Sequence, residues 1–176
     1  MEIKVTDLMS EEEMDRAILN VAKEIVGDGT NNVALVGIKT RGIPLAEWLA
    51  KKIEAVQHKP IDIGSIDISL YRDDLTEIED QAIVNKSELP FSVNGRGIIL
   101  VDDVLYTGRT IRAAMDALIR QGRPKFIKLM VMVDRGWREL PIQADYVGKQ
   151  LKTKANENVK VRFMDTDEIN QVVVKG

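Results

Sequence analysis

The chain has no cysteine in its 176 residues. Disulfides, thiolate nucleophiles and cysteine-ligated metals are therefore excluded. It has one histidine, His58, so neither a histidine-based relay nor a zinc site has a second imidazole to draw on. His58 stands before Lys59-Pro60 at the expected end of a helix and reads as a surface residue. No apolar run approaches the roughly 18 residues that a membrane span needs. The opening Met1-Glu-Ile-Lys4 lacks the basic-then-apolar form of a secretion leader. A cytoplasmic protein without a membrane partner is expected. The net charge of −3 gives no global attraction to nucleic acid, so any RNA site has to be a local basic patch. Linkers, repeats and low-complexity segments are also missing. With 44% hydrophobic and 30% charged residues, the length suits one domain over 1–176 with a full core.

What is present centres on Ile98-Ile-Leu-Val-Asp-Asp-Val-Leu-Tyr-Thr-Gly-Arg-Thr110. Four apolar residues, Ile98 to Val101, read as a strand buried on both faces, ending in Asp102 and Asp103. After Thr107-Gly108-Arg109-Thr110, the residues Ile111, Ala114, Met115 and Leu118 share one helical face. The unit is strand, acidic tip, small-residue loop and helix. Ligands of open α/β sheets bind at such carboxyl ends. Backbone N–H groups at the helix start, with the hydroxyls of Thr107 and Thr110, form a phosphate cradle that Gly108 lets a ligand approach. Two acids beside a phosphate site have to face a polyol or a metal. A ribose 5-phosphate meets both demands.

The same α/β pattern runs along the chain. Ser10-Glu-Glu-Glu13 is a capping box, and Met14, Ala17, Ile18, Val21 and Ile25 continue at helical spacing until Gly27 and Gly29. Val33–Val36 is a second buried strand, and a second helix runs from about Ile43 to Gln57 with Leu45, Trp48, Leu49 and Ile53 inward. Between them, Lys39, Thr40, Arg41 and Gly42 supply two cations, a hydroxyl and a glycine, which suits a polyanion. Ile61–Ile63 and Ile66–Leu70 are strand-like, and a parity switch at Gly64-Ser65 predicts a bulge or two separate strands. A long polar stretch, Tyr71 to Arg96, has the form of a lid or hairpin. Phe126–Val133 is a core strand, and Val161–Met164 and Val172–Val174 are edge strands.

The central motif resembles the phosphoribosyl-pyrophosphate (PRPP) signature of type I phosphoribosyltransferases. It departs only at Tyr106, where the general signature has a small or acidic residue. That aromatic is similar to one branch, the PyrR family of pyrimidine-operon regulators. The resemblance implies the type I fold: a central, mostly parallel sheet flanked by helices, with a long flexible lid loop and a small β-rich end. It implies a uracil phosphoribosyltransferase, converting uracil and PRPP to UMP and pyrophosphate, that also acts as a UMP-responsive regulator of transcription attenuation. Asp102 and Asp103 become the catalytic acids on the ribose, with Mg²⁺ held mainly by the ligand near one of them. Thr107, Gly108, Arg109 and Thr110 take the nucleotide phosphate. Lys39, Thr40, Arg41 and Gly42 take pyrophosphate, joined by Arg72 of the Tyr71-Arg-Asp-Asp74 segment. In the family one peptide of the pyrophosphate loop is often strained, and Thr40-Arg41 matches that place. Val133, Asp134 and Arg135 lie where a base edge is read.

Arg138–Ile142 and Ala144–Lys149 resemble the segment that, with the first helix, forms the family's RNA face. Lys23, Arg138 and Lys149 are its candidate contacts to pyrimidine-operon mRNA. Trp137 stands where the family usually has histidine and Gln143 where it usually has arginine. Leu19 and Asn20 replace more polar or basic residues, and Lys23 replaces a histidine. Lost cations weaken phosphate binding, while Trp137 can stack on a base. A phosphoribosyltransferase without RNA regulation is the alternative. A purine-specific enzyme is a further one, disfavoured by Tyr71-Arg-Asp-Asp74 and Asp134-Arg-Gly136. The resemblance also implies homodimers or higher homo-oligomers.

Overall fold

The computed structural model describes residues 4–68 and 87–176. The elements are β1 (Val5–Met9), α1 (Glu11–Asp28), β2 (Val33–Ile38), α2 (Gly42–Gln57), β3 (Asp62–Ile66), β4 (Gly97–Leu105), α3 (Arg109–Gln121), β5 (Phe126–Asp134), β6 (Tyr146–Gln150), β7 (Asn158–Arg162), a one-turn helix α4 (Met164–Asp167) and β8 (Gln171–Lys175). Five strands form a parallel sheet in the order β3-β2-β4-β5-β6, and three form an antiparallel sheet in the order β1-β8-β7.

Strand alternation divides the core. Val33, Leu35, Ile99, Val101, Met130 and Met132 face α1 and α2, whose Met14, Ile18, Leu45, Leu49 and Ile53 are buried there. Ala34, Val36, Ile98, Leu100, Leu129 and Val131 face α3 through Ile111, Ala114 and Leu118. Each central strand is covered on both sides, which is why these strands read as continuous apolar runs. α1 begins with the expected capping box. The Ser10 backbone N–H donates to Glu13 at 2.8 Å, and the Glu13 N–H donates to Ser10 Oγ at 3.3 Å. Val159, Val161, Phe163 and Val172 of the C-terminal segment join the core on the α1–α2 side.

Several expectations change. β4 does not stop at Val101 but runs to Leu105, because its ladder with β5 continues through Asp102↔Val131 and Val104↔Val133. β3 is one regular strand whose Gly64 and Ser65 pair in register with Val36 and Gly37, so no bulge falls there. β7 ends at Arg162, and Met164 starts α4 instead of closing an edge strand. Trp48 is half-buried and donates from Nε1 to Asp15 at 2.9 Å. β1 and β6 had no expected strand. Of the stretch expected to form a lid or hairpin, Tyr71 to Arg96, residues 71–86, Arg72 among them, lie outside the described residues.

Candidate active site

The strand order reverses between β2 and β4. β2 is followed by β3 on one side, and the chain then returns to place β4 on the other. Such a switch point opens a crevice at the carboxyl ends of the strands. Here it opens because the two neighbours part company. β2 and β4 are paired up to Gly37↔Val101, after which β2 gives way to the Lys39–Arg41 loop. β4 continues, held only by β5. Asp102 and Asp103 therefore lie on a strand overhang, with the cationic loop in the place of the missing neighbour.

The approach of the two loops is close. A Cβ on Gly42 would lie 2.3 Å from the carbonyl oxygen of Val101, and one on Gly37 would lie 2.8 Å from the carbonyl oxygen of Gly42. Only glycine lets α2 start against the backbone of β4. The loop has a cis peptide between Lys39 and Thr40, one bond before the Thr40-Arg41 place expected from the resemblance. Lys39 forms an ion pair with the exposed Glu88 at 3.7 Å, a contact of the kind worth little in water.

Asp102 is buried and Asp103 half-buried. The Asp103 backbone N–H donates to Asp102 Oδ1 at 2.9 Å, and the Val104 N–H donates to Asp103 Oδ1 at 2.8 Å. Burial pushes the Asp103 carboxyl above the usual aspartate range, against the opposing pull of Asp102, the Val104 N–H and the charge of Arg41. A buried carboxylate is costly even with such partners, so a ligand bringing hydroxyls or a cation would relieve Asp103 further.

Past β4 the backbone turns at Gly108, whose φ of 94° is left-handed, and α3 starts. The N–H of Arg109 reaches Thr107 Oγ1 at 3.3 Å. The Arg109 side chain points outward to Glu139 at 2.7 Å, so at this loop an anion meets backbone N–H groups and the Thr107 and Thr110 hydroxyls rather than that guanidinium. The loop is braced from behind. Thr107 O accepts from the N–H groups of Glu139 and Leu140 at 2.9 and 3.2 Å.

Val133, Asp134 and Arg135 close the far side at the end of β5, all buried. Their side chains are tied inward. Arg135 donates to Thr153 Oγ1 at 3.1 Å and to Glu157 O at 2.6 Å, and its guanidinium lies 4.1 Å from the centre of the Tyr106 ring. Arg138, expected at an RNA face, instead forms an internal fork. It donates to both oxygens of Asp134 at 2.9 and 2.7 Å, to Tyr106 O at 2.7 Å and to Ile142 O at 2.8 Å. It thereby connects the loop after β4 to the end of β5. Trp137 beside it is exposed, has a left-handed φ of 63°, and donates from Nε1 to Thr153 O at 2.6 Å. Thr153 and Glu157 carried no sequence signal, because they act through long-range contacts to Arg135. Lys23 is exposed on α1, and Lys149 is half-buried on β6, where it pairs with Val133.

Comparison with known proteins agrees with this geometry. A family model described as phosphoribosyl transferase domain matches residues 4–165. The chain is 52% identical over 176 residues to the bifunctional protein PyrR of Thermoanaerobacter sp. (strain X514), covering 99% of this chain and 98% of the relative. It is 54% identical over 168 residues to the bifunctional protein PyrR of Thermus aquaticus, covering 94% and 93%. Among solved structures, the hypoxanthine phosphoribosyltransferase of Trypanosoma cruzi superposes with a TM-score of 0.74 over 96% of this chain and 95% of that one, at 23% identity, a likeness of fold. A crevice lined by an acidic overhang, a cationic loop and the Gly108 turn into α3 thus stands on a chain that belongs to the phosphoribosyltransferase family and, within it, to the bifunctional PyrR proteins.

Proposed function

We propose that the chain transfers the phosphoribosyl group of PRPP to uracil, and that it also binds pyrimidine-operon RNA in a UMP-responsive way. The observation that carries the enzymatic part is the overhang. Asp102 and Asp103 meet the Lys39–Gly42 loop across the gap where β2 has ended, with the Thr107–Thr110 cradle next along the chain. That arrangement holds a ribose by its hydroxyls, its 5-phosphate on one side and its pyrophosphate on the other.

In the reaction the bond between the anomeric carbon and pyrophosphate breaks, and pyrophosphate leaves with the electron pair. A ring nitrogen of uracil forms the new bond and gives up its proton. Positive charge grows on the ribose in between, so Asp102 and Asp103 favour the transition state over the ground state. Lys39 and Arg41 balance charge growing on the leaving group, and the braced loops hold the reactants in line. Val133, Asp134 and Arg135 form the wall against which the base sits, through backbone groups, since the Asp134 and Arg135 side chains are already engaged.

The residues fit Mg²⁺. No cluster of three or more acidic, histidine or cysteine ligands occurs among the described residues. Two carboxylates at a site for phosphate oxygens suit a cation that keeps ligand and water oxygens around it. Asp102 or Asp103 would hold it, and when bound it would neutralise pyrophosphate.

The regulatory part rests on α1 and β6, which pack together and carry Lys23 and Lys149. The helix side of this face is net acidic, so its cations act singly. α1 holds six acids (Glu11, Glu12, Glu13, Asp15, Glu24, Asp28) against Arg16 and Lys23. Homodimers or higher assemblies would widen it. The deciding experiment incubates each nucleobase with PRPP and Mg²⁺ and measures nucleotide formed. UMP from uracil is expected; turnover of purines alone overturns the reading. RNA retention over a salt series, with and without UMP, tests the regulator separately.

A further inference from the structure

Arg41 stands at the mouth of the crevice, but its guanidinium reaches toward the C-terminal sheet. It donates to Val161 O at 2.9 Å, to one oxygen of Asp167 at 3.1 Å, and to the other in a close ion pair. Asp167 closes α4, and its side chain is only 11% exposed. It is itself fixed: the Phe163 N–H donates to it at 3.1 Å, Thr166 Oγ1 at 3.0 Å, and Lys160 Nζ lies 3.2 Å away. The Arg41 interaction leads the causes that hold this carboxyl well below the usual range. Arg41 in turn feels the charge of Asp103 from the other side.

We propose that Asp167 is a positioning residue for phosphoribosyl transfer: it orders the Arg41 fork beside Asp103, so that the small antiparallel sheet helps grip the pyrophosphate end of the substrate. The inference rests on reading Lys39–Gly42 as the pyrophosphate loop. Three physical points support it. A guanidinium has five N–H donors, of which the contacts above use three, so a ligand can still be bound without breaking the pair. A long arginine side chain loses rotamer freedom on gripping a ligand, and that loss is smaller when a fixed carboxylate has already ordered it. Finally, Asp167 does not cancel the site's charge. Arg41, Lys160 and Asp167 together carry net +1, because Lys160 shares the carboxylate.

The test is a double-mutant cycle on the full chain, reading pyrophosphate and UMP binding by calorimetry with Mg²⁺ present and KM for PRPP by initial rates. Asp167→Ala should weaken pyrophosphate and PRPP by about tenfold, the order expected for loosening a charge-assisted contact. UMP, which has nothing to place on that loop, should stay within about twofold. Asp167→Asn, which keeps an acceptor, should fall between. In an Arg41→Ala background, adding Asp167→Ala should weaken pyrophosphate no further, since the second residue acts only through the first. Additive losses, an equal loss for UMP, or tighter pyrophosphate binding by Asp167→Ala would each overturn the proposal. If Arg41→Ala itself leaves pyrophosphate binding unchanged, the reading of the loop fails. If Arg41→Ala weakens it and Asp167→Ala does not, only the role of Asp167 fails. Thermal melting of each variant identifies any that does not fold, and in that case Asp167→Asn decides.

Discussion

β2 and β4 run paired to Gly37 and Val101 and then separate, whereas β7 and β8 stay paired from Asn158↔Lys175 to Arg162↔Gln171. The first pair, with helices on both faces, ends in an open notch lined by the Asp102 and Asp103 carboxylates and the cationic loop. The second pair closes on itself, with β1 along its other edge. It reaches the crevice through Arg41, by the Val161 carbonyl of β7 and the side chain of Asp167 in α4. Parallel strand ends make sites from the backbone, while an antiparallel sheet has to lend a residue. If this contrast is right, damage to the notch should be large and felt by every ligand. Damage from the small sheet should be smaller and selective.

The largest effect is expected from Gly42→Ala. The new methyl would sit 2.3 Å from Val101 O, a backbone atom that cannot swing away. Overpacking of this kind costs up to about 3 kcal/mol. For a chain of this length that lowers Tm by roughly 6–12 °C. Transfer should be lost with it, because α2 and the cationic loop must shift. A Tm within about 2 °C of wild type would show that the approach of α2 to β4 is not tight.

Asp103→Asn should separate the two readouts. Losing a charge-assisted contact to the ribose costs about 1.5–3 kcal/mol in kcat/KM, roughly a 10- to 150-fold loss. Stability should hold or rise. The folded carboxyl titrates above the ordinary 3.8, so the folded state binds protons more readily than the unfolded one. Wild-type stability at this group is then gained as pH falls through the raised value and diminished as pH rises through it. The asparagine variant lacks that dependence. A variant that keeps its activity, or that unfolds well before wild type, would move Asp103 from the site to the scaffold.

Asp167→Asn should act more weakly and with the reverse pH sign. The depressed carboxyl stabilises the folded state above the ordinary 3.8 and loses that contribution as pH falls through its lowered value. Melting curves of wild type and variant should differ by a few degrees at pH 7 and converge in strong acid. A difference that persists unchanged at low pH would mean that the charge of Asp167 is not what matters.

The notch was legible in the sequence because its parts are local. The PRPP-type motif is one continuous strand, loop and helix, and outside the notch the capping box spans only four residues. The extent of β4 was not, since Asp102 and Asp103 interrupt the apolar pattern while the ladder to β5 carries on. β1 was missed because Val5-Thr-Asp-Leu-Met9 has no clear alternation. Its stability comes from β8, at the far end of the chain. Asp167 meets Arg41 across 126 residues, and no spacing rule connects them. Arg138 was visible as a cation, but its acceptors Tyr106 O and Ile142 O are backbone atoms that a sequence cannot point to.

That last point separates two cations read as one surface, and the smallest expected effect follows from it. Arg138→Gln would free Asp134 and the Tyr106 carbonyl, so it should raise KM for both substrates severalfold through loss of pocket order. Lys149 pairs with Val133 through the backbone of β6, a pairing that Lys149→Gln leaves in place. The Ser10 N–H does most to lower the Glu13 carboxyl at the start of α1, and the charge of Lys149 adds to it. A phosphate contact contributes roughly 0.7–0.9 to the slope of log affinity against log salt. If Lys149 contacts RNA while competing with Glu13, its removal should flatten the slope by less than about one unit. Adding Lys23→Gln should flatten it again by a similar step, with transfer within about twofold of wild type for both. UMP should strengthen RNA binding if pocket and face are linked. RNA affinity measured over a salt series for the three variants decides the matter. Should Arg138→Gln flatten the slope and spare KM, its fork opens in solution and it belongs to the RNA face after all. Should Lys149 and Lys23 leave the slope untouched, the face formed by α1 and β6 is not where RNA binds.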